Sequence, residues 1–249
     1  MRATIVTYGV RIELRSDSRR LLRGMLNRLP PGWKRARVRS VDRVFTITGS
    51  GSAGGDNAAL DRFEPEVKVF VAEMAPSRVF VHAGAVGWRG RALIVPGATL
   101  SGKSSLVAAL VKAGATYYSD EYAVLDGRGR VHPYPRALAL RNRRTGVQTK
   151  RSIATLGGRP GRRPLTVGGV IISEFRPGAR WHPRRLTSGQ ALLALLANTV
   201  SARRNLSRAL AALRRVVAKA VILQGLRGDA NETVRAVFSE LRKTRRARS

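Results

Sequence analysis

Alternation and helical spacing take turns along the first 76 residues. Val10, Ile12 and Leu14 alternate with Arg11 and Glu13, and Tyr8 falls on the apolar side, which predicts one half-buried strand over 4–14. Leu21, Leu22, Met25 and Leu26 follow at helical spacing behind Asp17, the predicted N-cap, and Pro30-Pro31-Gly32 stops that helix. A strand near 43–48 runs into a Gly/Ser-rich stretch at 49–55, which reads as a flexible connection. Val67, Phe70, Val71 and Met74 mark a second helix. Residues 1–76 therefore read as a small α/β region.

Residues 77–249 read as a second unit. Val79-Phe80-Val81-His82 and Ala85 to Trp88 are short apolar strands, and an Arg89-Gly90-Arg91 turn leads into a third. Strands over Ala115–Ser119 and Tyr122–Leu125 bracket Asp120-Glu121, a turn follows at Asp126-Gly127, and Val167–Phe175 is a buried strand. From Ser188 onward the pattern is helical: Leu192, Leu193, Leu195 and Leu196, then Leu206, Leu210, Leu213, Val217 and Val221, then a helix over 231–243 and a basic tail. Residues 142–165 are basic, Gly-rich and short of large apolar side chains, so they read as either a disordered surface loop or a mobile lid. The fold class predicted is α/β.

One apolar strand runs directly into candidate chemistry. Residues 92–105 read Ala-Leu-Ile-Val-Pro-Gly-Ala-Thr-Leu-Ser-Gly-Lys-Ser-Ser, a complete G-x-x-x-x-G-K-S phosphate loop between a strand and a helix. Gly97 and Gly102 permit a backbone that curls its N–H groups around an anion, with Ala98, Thr99, Leu100 and Ser101 between them. Lys103 brings a point charge to the outer phosphates, Ser104 a hydroxyl for Mg²⁺, and Ser105 closes the nucleotide-binding stretch. Leu106, Val107, Leu110 and Val111 make the following helix amphipathic, its N-terminus aimed at the same phosphates. Asp120-Glu121 ends the next strand. In a parallel sheet it would lie at the same edge as the loop, where one carboxylate can hold Mg²⁺ and the other can accept a proton. His82 ends another core strand, whereas His132 and His182 precede prolines and receive no role.

Composition bounds the rest. The chain has 249 residues, no cysteine and a formal net charge of +32. Disulfides and thiolate metal sites are excluded, and a cytoplasmic location is expected. No run approaches a membrane span, and no signal-peptide core opens the sequence. The charge is spread along the chain with modest clusters at 142–163, 203–215 and 242–248. It fits either an Arg-rich solvated surface or a preference for polyanions or acidic substrates.

From Val79 to Arg141 the chain resembles the catalytic domain of the HPr kinase/phosphorylase superfamily, P-loop protein kinases related in fold to ATP-dependent phosphoenolpyruvate carboxykinase. His82-Ala83-Gly84 matches the family's His-Gly motif. The Gly97–Ser104 loop, its helix and Asp120-Glu121, in place of the paired aspartates, follow in order. The likeness is greatest to HPr-kinase-like proteins outside the classical phosphotransferase regulator, including kinases of peptide-modification clusters. It implies a nucleotide-binding core of that type in 77–249, with C-terminal helices. It also implies ATP and Mg²⁺ as cofactors, Lys103 and Ser104 on the phosphates and metal, Asp120 beside Mg²⁺, Glu121 in the base position and His82 supporting the carboxylates. Neighbouring carboxylates titrate as a unit, so the base is Glu121 or Asp120. The chain departs from the classical pattern at Ser105, which replaces Glu, and at Glu121, which replaces Asp. It lacks the Gly/Ile-rich phosphorolysis signature, and 1–76 has no match to the classical N-terminal domain.

The expected activity is transfer of phosphate from ATP to a hydroxyl, on Ser/Thr of a peptide or small protein or on a metabolite. An acidic acceptor would suit the charge, and Arg136, Arg141 or Arg227 would help spread charge on the transferring group. A catalytically silent nucleotide sensor or scaffold and an NTP-dependent nucleic-acid-binding protein are the alternatives. Relatives of this family often form oligomers, so a homo-oligomer is a further expectation.

Overall fold

Thr7 pairs with Val10 across a two-residue turn, so the apolar pattern over 4–14 folds as a hairpin and not as one strand. Tyr8 and Gly9 both adopt positive φ (50° and 84°), the pairing that matches the twist of the flanking strands. The computed structural model describes residues 1–97, 101–141 and 145–246. The chain divides into two units, Met1–Arg78 and Val79–Ser249.

In the first unit, β1 (Arg2–Thr7) and β2 (Val10–Ser16) bury Ala3, Ile5, Val10, Ile12 and Leu14 on one face, and Tyr8 sits in the turn. The helix α1 (Arg19–Arg28) is capped by Ser18, whose side chain accepts from the Leu21 N–H. Asp17 is not the cap: its carboxylate accepts the N–H of Gly49 instead. Short strand β3 (Lys34–Arg35) and β4 (Arg43–Ile47) complete a sheet of order β3-β1-β2-β4. The next helix, α2 (Ala53–Met74), begins inside the Gly/Ser stretch. Ser52 accepts from the N–H of Gly55 and Asp56 from that of Ser50, so side-chain caps turn an expected linker into a helix start.

The second unit opens with β5 (Val79–Trp88), one ten-residue strand where two short ones were expected. Its tight turn, Arg89 (φ 48°) and Gly90 (φ 76°), returns the chain into β6 (Arg91–Pro96). The order continues α3 (Lys103–Lys112), β7 (Thr116–Ser119), β8 (Tyr122–Leu125), β9 (Arg130–His132), β10 (Leu138–Arg141), β11 (Gln148–Arg151) and β12 (Leu165–Phe175). It ends β13 (Arg184–Arg185), α4 (Ser188–Leu196), α5 (Leu206–Val217), β14 (Val221–Arg227) and α6 (Ala230–Arg246). The main sheet runs β13-β14-β12-β6-β5-β8-β9, with β7 also on β5. It is mixed, not parallel: β6, β12 and β14 run together, whereas β5 opposes β6, β7 and β8. A two-residue turn after β5 permits only an antiparallel return.

Helices cover both faces, which is why these strands read as continuous apolar runs. Val81, Ala83, Ile94 and Val170 face a core shared with α4 and α5, whereas Leu93, Val95 and Ile171 face α3 and α6. Two sequence expectations fail here. Val221 begins β14 and does not end a helix. Its seven residues pair in register with Gly169–Phe175, and neither Gly nor Pro separates them from α5 to betray the change of period. Nor are the described residues of 142–165 a structureless loop. They form β11, paired with β10, and a 3-10 turn at Ile153–Leu156, followed by a stretch hydrogen-bonded to β7 through Tyr117 N–H to Arg159 O (2.9 Å) and Gly161 N–H to Tyr117 O (2.7 Å). Glycine permits that approach: a Cβ on Gly161 would lie 2.2 Å from the Tyr118 ring. Asn142, Arg143 and Arg144 lie outside the described residues, and no described helix is long and apolar enough to cross a membrane.

Gly84 carries the packing of α3 onto β5, since a Cβ there would lie 2.4 Å from Cγ2 of the stiff side chain of Val107. Gly84→Ala is expected to lower stability by about 1–3 kcal/mol, read from the midpoint of chemical denaturation. An unchanged midpoint would mean that α3 is free to shift.

Candidate functional site

Three sequence motifs meet on one rung of the sheet. On one side of β5, Ala83 pairs with Pro96, and the Gly97 N–H donates to the His82 carbonyl at 3.4 Å. On the other side β7 and β8 lie end to end along β5, with Asp120-Glu121 at the break between them. The Ala83 N–H donates to the Glu121 carbonyl (3.2 Å), and Ser119 Oγ accepts the N–H groups of both Glu121 and Tyr122 (3.0 Å each). The antiparallel arrangement preserves the shared edge, because β7 lies across β5 from β6 and runs in the same direction.

Lys103 opens α3 and is buried, with Nζ donating to the Gly97 carbonyl at 2.7 Å, so the side chain folds back over the loop. Gly102, the residue before it, adopts φ 81°. Ser104 Oγ donates to Asp120 Oδ2 at 3.1 Å. Asp120 is buried, and the same oxygen accepts the Ala139 N–H at 3.1 Å while Oδ1 accepts the Tyr117 hydroxyl at 2.8 Å. Burial and the Asp120 charge push the Tyr117 hydroxyl far up, so it remains a proton donor to that carboxylate. Ser101 Oγ is buried without a hydrogen-bond partner among the described residues, a hydroxyl left over inside the loop. Ser105 is half-buried behind it, and Ala98, Thr99 and Leu100 lie outside the described residues.

Glu121 is half-buried next to Asp120. The His82 ring stands 6.1 Å from that of Tyr122, and among the described residues it makes no hydrogen bond to either carboxylate. Its electrostatic neighbour is Lys103. Burial, then the Lys103 charge, lowers the imidazole to about 4. Burial likewise lowers Lys103 to about 8, against the opposing pull of Asp120. His82 is therefore neutral at neutral pH, and the Lys103 ammonium is held with little excess proton affinity.

Among the described residues no three His, Asp or Glu side chains gather into a metal site. The donor set fits Mg²⁺ nonetheless, since that ion keeps several waters and takes one or two protein oxygens beside substrate phosphates. Ser104 Oγ and Asp120 Oδ2 supply such a pair.

Sequence reasoning missed Tyr117 and the Ala139 N–H, which hold Asp120 from β7 and β10. Tyr117 looked like any strand aromatic, and a backbone donor leaves no sequence signal. Arg227 was one of three arginines considered for the transferring phosphate. It is fully buried and bonds the loop's own carbonyls, Gly102 O at 2.7 Å and Ser101 O at 3.4 Å. Arg136 contributes its carbonyl, 3.0 Å from the Tyr117 hydroxyl, and the Arg141 side chain lies outside the described residues. His132 belongs elsewhere, 3.0 Å from Asp126. Compared with known proteins, the chain matches no family model and no curated protein.

Because the folded protein resists a proton on His82 that the unfolded chain accepts, stability should fall as pH drops from 6.5 towards about 4. Denaturation midpoints measured across that window should decline in the wild type and decline less in His82→Asn. Parallel declines would place the proton elsewhere.

Proposed function

We propose that the protein is an ATP- and Mg²⁺-dependent phosphotransferase of the HPr-kinase-like type, acting on a hydroxyl acceptor. The observation that carries the reading is the hydrogen bond between Ser104, behind the loop lysine, and Asp120, on the rung that also holds the loop. A hydroxyl and a carboxylate that belong to separate motifs 16 residues apart bring two oxygen donors together beside the start of α3.

Each residue has a physical task in this reading. The N–H groups at the start of α3 lack intrahelical acceptors and lie at the positive end of the helix dipole, which suits phosphate oxygens. Lys103, buried and depressed to about 8, exchanges the Gly97 carbonyl for phosphate and gains a full counter-charge. Ser104 and Asp120 would hold Mg²⁺, which when bound neutralises charge on the phosphates. Asp120 is already committed to Tyr117, Ser104 and Ala139, so the proton of the attacking hydroxyl falls to Glu121, the more exposed carboxylate. His82 stays neutral near Lys103. Catalysis then comes from positioning and charge neutralisation. The acceptor is a Ser/Thr side chain of a peptide or small protein, and the +32 charge favours an acidic one.

The test is transfer of label from γ-labelled ATP with Mg²⁺ to acidic and neutral Ser/Thr peptide pools. Wild type should label an acceptor and Lys103→Ala should not. Glu121→Gln should still bind ATP while transfer falls about 100-fold or more. ATP binding without transfer by wild type would support a silent sensor instead, and undiminished transfer in Lys103→Ala would overturn the reading.

A further inference from the structure

We infer that Arg227 is a positioning residue for the phosphate loop: its guanidinium fixes the carbonyls of Ser101 and Gly102 on one side, so that the N–H groups of Gly102 and Lys103 are presented on the other. The inference rests on the reading of the loop as a phosphate cradle and adds to it a residue from the far end of the chain.

The anchorage of Arg227 is rigid. Arg227 closes β14, which lies parallel to β12 with Arg227 opposite Phe175. Its side chain is 0% exposed. Nε donates to Ser173 Oγ at 3.3 Å and Nη1 to the Gly228 carbonyl at 3.4 Å, and the guanidinium carbon lies 5.5 Å from the Phe175 ring centroid. Held by two neighbouring strands, Nη2 then reaches the loop, 2.7 Å from Gly102 O and 3.4 Å from Ser101 O. Gly102 O also accepts the Leu106 N–H at 3.2 Å, the first turn of α3, so one oxygen ties the helix start to the arginine.

Peptide geometry converts that latch into an orientation. A trans peptide points its C=O and the following N–H in opposite directions. Carbonyls 101 and 102 directed at Arg227 therefore send the N–H groups of residues 102 and 103 the other way. These N–H groups precede any possible intrahelical acceptor. The same contact explains the glycine at 102 twice over: its φ is 81°, and a Cβ would stand 2.2 Å from Arg227 Nη2. The guanidinium also adds positive charge behind the positive end of the α3 dipole. Unlike an arginine that touches the transferring phosphate, this one acts through the loop backbone.

Hydrogen exchange on the full chain, wild type against Arg227→Met and Arg227→Lys, tests the assignment without requiring a ligand. In Arg227→Met the Leu106 amide, which bonds the latched Gly102 carbonyl, and the amides after it in the first turns of α3 should exchange about ten to a hundred times faster, the range for losing a hydrogen bond to a charged donor. Amides of β5 and α5 should be unchanged, and Arg227→Lys, able to reach one carbonyl, should fall between. With ATP and Mg²⁺ the dissociation constant should rise about tenfold or more in Arg227→Met, with Arg227→Lys restoring part of the affinity. Unchanged exchange at Leu106 and the first turns of α3 would overturn the inference, as would equal loosening of β5 and α5, the mark of a residue that only supports the core. Should Arg227→Met not fold, Ser173→Ala removes only the Nε support and is expected to quicken the Leu106 amide and those after it in α3, and no change there would count against the latch. Wild type that fails to bind ATP would defeat the proposed function, while exchange would still decide what holds the loop.

Discussion

The rung at Ala83 is the constraint on which the site depends. A single residue of β5 pairs with the end of β6 on one side and gives its N–H to Glu121 on the other. The end of β6 and the carboxylates therefore cannot drift apart without breaking backbone hydrogen bonds in a buried sheet, whose polar groups would find no water to replace them. The small residues at 83–85 serve that closeness. Val107 fills the space above Gly84, which brings the first turns of α3 down onto the rung.

Charge in the site is arranged around one buried carboxylate. Asp120 gathers donors from three elements: Tyr117 of β7, Ser104 of α3 and Ala139 of β10. Lys103 stands close enough for Asp120 to support its proton, and His82, beside Lys103, is denied one. The second unit thus holds a net positive loop against a fixed negative point, with the loop carbonyls turned towards Arg227.

How far the sequence revealed this depends on the range of the interaction. Strand–loop–helix order around Gly97–Ser104 was legible because glycine positions, apolar runs and helical spacing are local signals. The α/β class was legible for the same reason. Pairing partners were not. The pattern over 4–14 cannot distinguish a strand from a hairpin unless Tyr8 is known to adopt positive φ. Val221 continued the helical period of α5, and it begins a strand because β12 offers seven partners in register to 221–227. Asp17 was the expected cap of α1, but its carboxylate accepts the Gly49 N–H and Ser18 caps the helix instead. The role of Arg227 was hidden deepest, since one arginine in a chain of 47 Lys and Arg residues carries no signal until β14 is known to end beside the loop.

The central claim is that Ser104 and Asp120 make one cation position that nucleotide phosphates complete. Mn²⁺ in place of Mg²⁺ allows it to be read directly by electron paramagnetic resonance. Mn²⁺ is titrated with and without ATP, and uptake is counted beyond that of ATP alone, in wild type, Ser104→Ala, Asp120→Asn and the double variant. The account predicts tight Mn²⁺ uptake only with ATP, weakened about tenfold or more in each single variant and little further in the double, as expected of residues acting as a unit. Mn²⁺ uptake that ignores both substitutions, or that needs no nucleotide, would contradict it.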